Sequence, residues 1–223
     1  MKLKKIASLA LAGIMAVSML AGCKDGGNSN SGSSSSENTG TATGYSAMLG
    51  QKAAETLSKK DLDEVFSFTD DTDDQKALEK VVLDNIAQSS VQNILRDVAG
   101  VNGAWALKDP TVVAVDSDFR TEIKADNDIA SMNTRYTQNT ATFANVWVAN
   151  GEISMDTVMA KVFEDMKTYI EDAEDNGAPG GLGLNYSYNV SVSVKNEAVK
   201  YNTTRNGSVN FIAVTVTRTA KVA

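Results

Sequence analysis

The spacing of apolar residues predicts helices in the first part of the chain. From Tyr45 to Lys60, apolar residues lie near one helical face, and two lysines at the end suit the negative end of a helix dipole. Apolar residues then recur at three- and four-residue steps over Leu78–Ile86 and again over Val91–Val98. Gly100 follows the last of these runs, which is typical of a helix end.

An acidic cluster, Asp70-Asp71-Thr72-Asp73-Asp74, precedes the second of these predicted helices. Thr72 with Gln75 three residues later fits a capping box, and carboxylates stabilise the positive end of a helix. The same carboxylates are also the oxygen ligands that Ca²⁺ prefers. Gln75 stands where an EF-hand loop needs glycine, and no glutamate closes the loop, so we favour the helix start over a calcium site.

The middle of the chain predicts two strands and the longest helix. Thr111–Val115, just after Pro110, is rich in β-branched residues and predicts a strand, as does the composition of Thr140–Ala149. Ser154 is the cap residue of the next helix, in which apolar residues recur at helical spacing from Met155 to Ala173.

The C-terminal region predicts a hairpin of strands. From Leu184 to Val194, apolar residues alternate with asparagine and serine, which predicts one buried face and one face in water. Asn206-Gly207 is typical of a two-residue hairpin turn. The last strand, Val209–Thr219, is apolar on both faces at Phe211–Val214, so we expect it near the centre of the sheet.

Together these elements predict an α+β fold. N-terminal helices and one long late helix would pack on an antiparallel sheet that ends in a C-terminal β meander. The order of elements and the segment Lys59-Lys60-Asp61-Leu62-Asp63-Glu64-Val65-Phe66 resemble NTF2-like domains of surface lipoproteins. That resemblance implies a curved sheet that wraps a helix and forms a cone-shaped pocket.

The first 23 residues have the layout of a secretory signal peptide. Three lysines precede an apolar run over Ile6–Leu20, which at about 15 residues is shorter than the roughly 20 that a transmembrane helix needs. Leu20-Ala21-Gly22-Cys23 resembles the lipobox of bacterial lipoproteins. The resemblance implies cleavage between Gly22 and Cys23 and a diacylglyceryl group on the Cys23 sulfur, so that acyl chains would hold the protein to a membrane.

The sequence therefore divides into three predicted parts. Residues 1–22 are a signal peptide that is removed, residues 23–44 are a lipidated cysteine and a flexible tether of serine, glycine and asparagine, and residues 45–223 form a single globular domain. The lipobox implies a bacterial membrane with the domain facing outward. Lys24 and the serine-rich tether favour a Gram-positive surface over a periplasmic location.

Composition excludes several classes of chemistry. The chain has no histidine and Cys23 is its only cysteine, which excludes histidine-based nucleophile systems and the usual zinc sites. It has no phosphate-binding or dinucleotide-binding loop, and no cofactor is predicted. Once the three signal-peptide lysines are removed, 18 basic and 28 acidic side chains leave a net charge of −10, which argues against nucleic-acid binding.

Four aromatic residues are candidates for contact with a ligand: Trp105, Trp147, Tyr186 and Tyr188. Such rings stack on sugars or line pockets, but core packing is the better explanation, since both tyrosines lie on the apolar face of their strand. We expect a lipid-anchored cell-surface binding or interaction module, not an enzyme, whose partner is a small molecule, a glycan or a protein. A carboxylate-dependent glycan hydrolase and a scaffold subunit of an envelope complex are the alternatives.

Overall fold

The computed structural model describes residues 44–57, 65–98, 100–107, 109–133, 139–175, 184–200 and 206–222. Five α-helices lie in these ranges: α1 (Tyr45–Ala54), α2 (Thr72–Asn85), α3 (Gln88–Asp97), α4 (Pro110–Glu122) and α5 (Met155–Asp175). Five strands form one sheet: β1 (Phe66–Phe68), β2 (Val101–Gly103), β3 (Ala141–Asn150), β4 (Leu184–Lys200) and β5 (Asn206–Val222). Short 3₁₀ turns follow β2 and α4, at Ala104–Ala106 and Ile129–Ser131.

The strands lie in the order β1-β4-β5-β3-β2, and the combination of this sheet with helices confirms the α+β class. β4 and β5 form a long antiparallel hairpin, and β5 also pairs antiparallel with β3, so the last strand is central as expected. β3 therefore neighbours β5 and not β4. β1 runs parallel to β4, so the sheet is mixed and not antiparallel throughout.

Helices cover both faces of the sheet. On one face α1 and α5 bury the first apolar cluster, and on the other face α2, α3 and α4 bury the second. Ile212 and Val214 of β5 belong to the first cluster, whereas Phe211 and Ala213 belong to the second. Cover on both sides explains why β5 is apolar on both faces, as a buried central strand must be.

The prediction of a strand at Thr111–Val115 is wrong, because these residues form the start of α4. The Asp109 side chain accepts hydrogen bonds from the backbone N–H groups of Thr111 and Val112. Pro110 occupies the first helical position, where its missing N–H needs no partner. These start signals outweigh the β-branched composition, because Val112 and Val115 fall with Phe119 on one buried face at helical spacing, whereas Val113 is exposed.

The polar face of β4 is only partly in water. Tyr186 and Tyr188 are buried as predicted, but Ser191 and Ser193 on the opposite face are buried too. Helix α2 packs on this part of β4, and the Ser191 hydroxyl donates a hydrogen bond to the Asp74 carboxylate of α2. The prediction of a solvated face is therefore wrong for this part of the strand.

Helix α2 begins where the acidic cluster predicts, but with a different cap. Asp71, and not Thr72, accepts hydrogen bonds from the backbone N–H groups two and three residues later. Gln75 closes no capping box with Thr72, because its side-chain amide pairs with both the N–H and the C=O of Val194 in β4. The capping prediction for α5 is confirmed, since Ser154 Oγ accepts a hydrogen bond from a backbone N–H three residues later.

Asn206-Gly207 does not form the predicted hairpin turn. The two residues pair with Lys200 and Val199 in the β4–β5 ladder. The connection between the strands therefore falls within residues 201–205, which lie outside the described residues.

Several predictions concern residues outside the described ranges: the signal peptide, Cys23, the predicted tether up to residue 43, and residues 59–64 of the NTF2-like segment. They stay predictions. Among the described helices, none is long and apolar enough to span a membrane.

Candidate functional site

A cleft of about 850 Å³ opens at the β2 edge of the sheet. Helices α4 and α5, which cover opposite faces of the sheet, both contribute to its lining. The other described lining residues belong to β2, to β3, to the two 3₁₀ turns and to Asp128, which precedes the second turn. The volume falls within the range of about 300–1,000 Å³ that is usual for small-ligand sites.

Both tryptophans of the chain lie in this cleft. Trp147 on β3 is buried, with 1% of its surface exposed, whereas Trp105 in the 3₁₀ turn after β2 is 54% exposed. The two rings meet edge to face at 81°, with centroids 5.1 Å apart, which is a favourable geometry for an aromatic pair. Trp105 therefore packs on the buried Trp147 and still presents a large part of its own ring to water.

The orientation of the Trp105 ring depends on Gly103, the last residue of β2. A Cβ atom at residue 103 would lie 2.4–2.5 Å from three atoms of the Trp105 indole, closer than real Cβ contacts come. The ring therefore lies directly against the Gly103 backbone. Gly103 and Trp147 together hold it in place.

On the α5 side of the cleft, Asp165 connects the aromatic pair to a cation. Its Oδ2 accepts a hydrogen bond of 3.1 Å from the indole N–H of Trp147, and its Oδ1 accepts one of 2.7 Å from Lys161 Nζ. The two charged side chains are partly exposed. Asp165 thus fixes the orientation of the buried Trp147 ring, and part of the Asp165 side chain remains exposed to solvent.

On the α4 side, Asp116 connects the sheet to a second cation. Its Oδ1 accepts a hydrogen bond of 2.8 Å from the buried N–H of Val146, just outside the stretch of β3 that pairs with β2. Its Oδ2 lies 2.7 Å from Arg120 Nη1. Burial raises the pKa of the Asp116 carboxyl, and the hydrogen bond from Val146 and the charge of Arg120 offset this only in part.

The turn around residue 129 completes the lining. Asp128 accepts hydrogen bonds from the backbone N–H and the hydroxyl of Ser131, at 3.0 and 2.7 Å. Asn145 of β3 accepts one of 2.9 Å from the N–H of Ile129. The bond from Ile129 to Asn145 attaches the turn to β3, whereas the bonds to Asp128 stabilise the turn itself.

Among the described residues, three carboxylates and two cations line the cleft: Asp116, Asp128, Asp165, Arg120 and Lys161. Each of these carboxylates accepts at least one hydrogen bond from the protein. A carboxylate has about four acceptor positions, so the positions that these bonds do not use are suited to polar groups of a ligand. Within the described residues, no three acidic or cysteine side chains come together as a metal site.

Tyr186 and Tyr188 do not join the two tryptophans in the cleft. Both belong to the apolar cluster under α1 and α5. Tyr188 stacks on Phe66 with ring centroids 5.2 Å apart, and the Arg218 guanidinium lies 4.9 Å from the centroid of the Tyr186 ring. Core packing is therefore confirmed for the two tyrosines and for Trp147, but it is wrong for Trp105, which is 54% exposed.

The acidic cluster serves the fold and lies outside the cleft. Asp70 accepts hydrogen bonds from the N–H groups of Gly44 and Ser46 at the start of α1. Asp71 caps α2, and Asp74 packs against β4. The helix-start interpretation is confirmed.

The charged residues of the cleft could not all be found from the sequence. Asp116 carried a signal, because in a helix it falls on the buried apolar face of α4 together with Val112, Val115 and Phe119. Lys161 and Asp165 carried none, since they belong to the charged face of α5, where acids and bases are ordinary surface residues.

Comparisons with protein-family models, with curated proteins and with solved structures found no match to this chain. The resemblances to lipoproteins and to NTF2-like domains therefore stay predictions.

Proposed function

We propose that this protein is a lipid-anchored binding module on the outer face of a bacterial membrane, and that its cleft holds the ligand. One observation carries the proposal: both tryptophans converge on one open cleft, beside paired charges. Exposed apolar side chains that cluster mark interaction sites. Among the described residues, Trp105 and Val113 are large, exposed and in the cleft, whereas Tyr45 and Leu83 are exposed outside it.

The lipobox supports the membrane attachment. Acyl chains on Cys23 would hold the domain at a bilayer, and residues 24–44 would separate the cleft from it. Without its signal peptide the chain carries a net charge of −10, so anionic lipid would repel it. Attachment through acyl chains removes the need for a basic surface.

Binding accounts for the cleft better than hydrolysis does. Glycoside hydrolysis needs one carboxyl group as general acid and a second as nucleophile or base, both in reach of the sugar. Asp116 is buried and is engaged by Val146 and Arg120. Asp165 is engaged by Trp147 and Lys161. Both carboxylates thus already serve as hydrogen-bond acceptors and ion-pair partners within the fold.

A carboxylate-dependent glycan hydrolase is the second candidate, because the pKa of Asp116 is raised by burial. A carboxyl group with a raised pKa keeps its proton to higher pH, as a general acid must. Asp165 would then be the second carboxylate. In that case Asp116→Asn would abolish product formation, whereas a binding module forms no product.

Tryptophan fluorescence tests the proposal, because both tryptophans report on the cleft. The mature protein is titrated with neutral oligosaccharides, short peptides and nucleosides, and each ligand is analysed afterwards by chromatography. We expect one class to change the emission saturably and to be recovered intact. Leu83→Ala, an exposed apolar residue on α2, is the control and should titrate like wild type.

Two outcomes would contradict the binding proposal. If no class changes the emission saturably, the cleft holds none of these ligands and the proposal fails. If an oligosaccharide is cleaved and Asp116→Asn stops the cleavage without unfolding the protein, the hydrolase is correct instead.

A further inference from the structure

We propose that the ligand of the cleft is a neutral oligosaccharide, stacked on the exposed face of Trp105 and hydrogen-bonded by the charged pairs beside it. This inference rests on the proposed binding function and adds the chemical class of the ligand. A sugar ring has an apolar face of C–H groups and a rim of hydroxyls, each of which donates and accepts hydrogen bonds. At about 850 Å³ the cleft has room for more than one such ring.

The Trp105 ring presents an exposed surface of fixed orientation on which a ligand can stack. More than half of its surface is in water, although burial of an aromatic side chain would be favourable. Its orientation is nevertheless fixed, because it lies against the Gly103 backbone and meets the Trp147 ring at 81°. A ring that is held in place before binding loses little conformational entropy when a ligand stacks on it.

Four of the charged groups that line the cleft form two ion pairs, one on each of two helices. Lys161 pairs with Asp165 on α5, and Arg120 pairs with Asp116 on α4, each at 2.7 Å. The ammonium, guanidinium and carboxylate groups have more donor and acceptor positions than these internal bonds use. A hydroxyl can donate to the carboxylate and accept from the cation of one pair, which ligand groups that only donate or only accept cannot do.

The balance of charge argues against charged ligands. In the part of the lining that the structure describes, three carboxylates face two cations, and each cation lies against a carboxylate. A phosphate or other anion would meet those carboxylates in an acidic protein, and an amine would meet Lys161 and Arg120. A wholly apolar ligand would remove the partly exposed Lys161–Asp165 pair from water without compensation. A neutral polyhydroxyl ligand with an apolar face satisfies all these groups.

Isothermal titration calorimetry of the mature protein tests the class of ligand. The neutral probes are cellohexaose, maltohexaose and chitohexaose, the charged probes are an oligogalacturonate and a chitosan oligomer, and an uncharged hexapeptide represents another class. We expect saturable binding of at least one neutral probe, with affinity about tenfold or more above that of its charged counterparts.

Two variants and one control locate the binding. Trp105→Ala should weaken binding of that probe by about tenfold or more, because the stacking surface is lost. Gly103→Ala keeps the indole but displaces it, so it should weaken binding as well and shift the emission of the free protein. Leu83→Ala should bind like wild type. Circular dichroism reports folding, and Trp105→Phe, with a smaller ring, replaces Trp105→Ala if the latter unfolds.

The contradicting outcomes separate this inference from the proposed function. If the hexapeptide binds in the cleft and no neutral oligosaccharide does, the inference fails and the binding proposal stands. Tighter binding of a charged probe overturns the argument from charge balance. Unchanged affinity in both Trp105→Ala and Gly103→Ala places the sugar elsewhere and overturns the inference. If no probe of any class binds, the inference and the proposed function fail together.

Discussion

Asp74 on α2 and Asp116 on α4 are acidic side chains placed where water reaches them poorly. Burial raises the pKa of each carboxyl above its ordinary value, and neighbouring hydrogen-bond donors offset this only in part. Asp116 lines the cleft, whereas Asp74 lies beside Ser191 and Thr215, outside its lining. Asp74 therefore allows the effect of burial on stability to be measured apart from ligand binding.

We expect Asp74→Asn to raise the free energy of unfolding at pH 7, by no more than about 1 kcal/mol because solvent still screens part of this carboxylate. Because the pKa of Asp74 is raised in the folded protein, the folded state binds the proton at a higher pH than the unfolded state does. Wild type therefore gains stability as the pH falls through the raised pKa, and the gain is complete below the ordinary value of 3.8. The advantage of the asparagine should disappear over the same interval.

Urea unfolding between about pH 7 and pH 3 measures this difference. Asp73→Asn, the same exchange at the exposed neighbouring residue, controls for the loss of a negative charge at the start of α2. A difference between Asp74→Asn and wild type that stays constant with pH would show that burial of the charge is not its cause.

At the scale of elements, β3 and β4 extend beyond the short outer strands that pair with them. Helix side chains accept hydrogen bonds from the N–H groups that these outer strands do not reach. β1 ends opposite Val190, and the next outward N–H groups of β4, on Val192 and Val194, donate to Ser46 of α1 and Gln75 of α2. At the other edge, Asp116 accepts from β3 in the same way. The helices are thus fixed to the sheet by hydrogen bonds as well as by apolar packing, and the cleft lies at one of these edges.

Ser46→Ala tests this role of the helices. The exchange leaves the buried N–H of Val192 without its acceptor, so we expect a loss of about 1–3 kcal/mol in the free energy of unfolding. Ser117→Ala is the matched control, since Ser117 is exposed on α4 and the same exchange there reports the helix propensity of alanine alone. Chemical denaturation that finds Ser46→Ala as stable as Ser117→Ala would rule out this role.

Long elements could be predicted from the sequence and short ones could not. The apolar residues of α5 and β4 keep one period over many residues, which few other structures allow. Over the five residues of Thr111–Val115 a strand and a helix have nearly the same pattern, and only Asp109 and Pro110 separate them. Burial of Ser191 could not be predicted, because its partner Asp74 is 117 residues away in the chain.

The same limit applies to the cleft. Trp105 and Trp147 could be chosen as candidates from residue type, but they meet only because Gly103 pairs with Trp147 across β2 and β3. Such a contact between distant parts of the chain leaves no periodic signal. Asp165 likewise becomes part of the site only because α5 packs beside this edge of the sheet.

At the scale of the whole molecule, an acidic domain with a cleft would be attached to a membrane. The described residues contain the cleft, and the attachment depends on Leu20-Ala21-Gly22-Cys23. Acyl chains on Cys23 would place the cleft near the bilayer whatever ligand it holds. Attachment and binding can therefore be tested independently, and failure of one leaves the other open.

Intact-mass spectrometry of the protein extracted from native membranes tests the attachment most directly. We expect a chain that begins at Cys23 and exceeds the mass of polypeptide 23–223 by a diacylglyceryl group, with or without an additional acyl chain. Cys23→Ala should retain residues 1–22 and carry no lipid. A mature wild-type chain with the mass of bare polypeptide, wherever it begins, would contradict the proposal that this binding cleft works at a membrane surface.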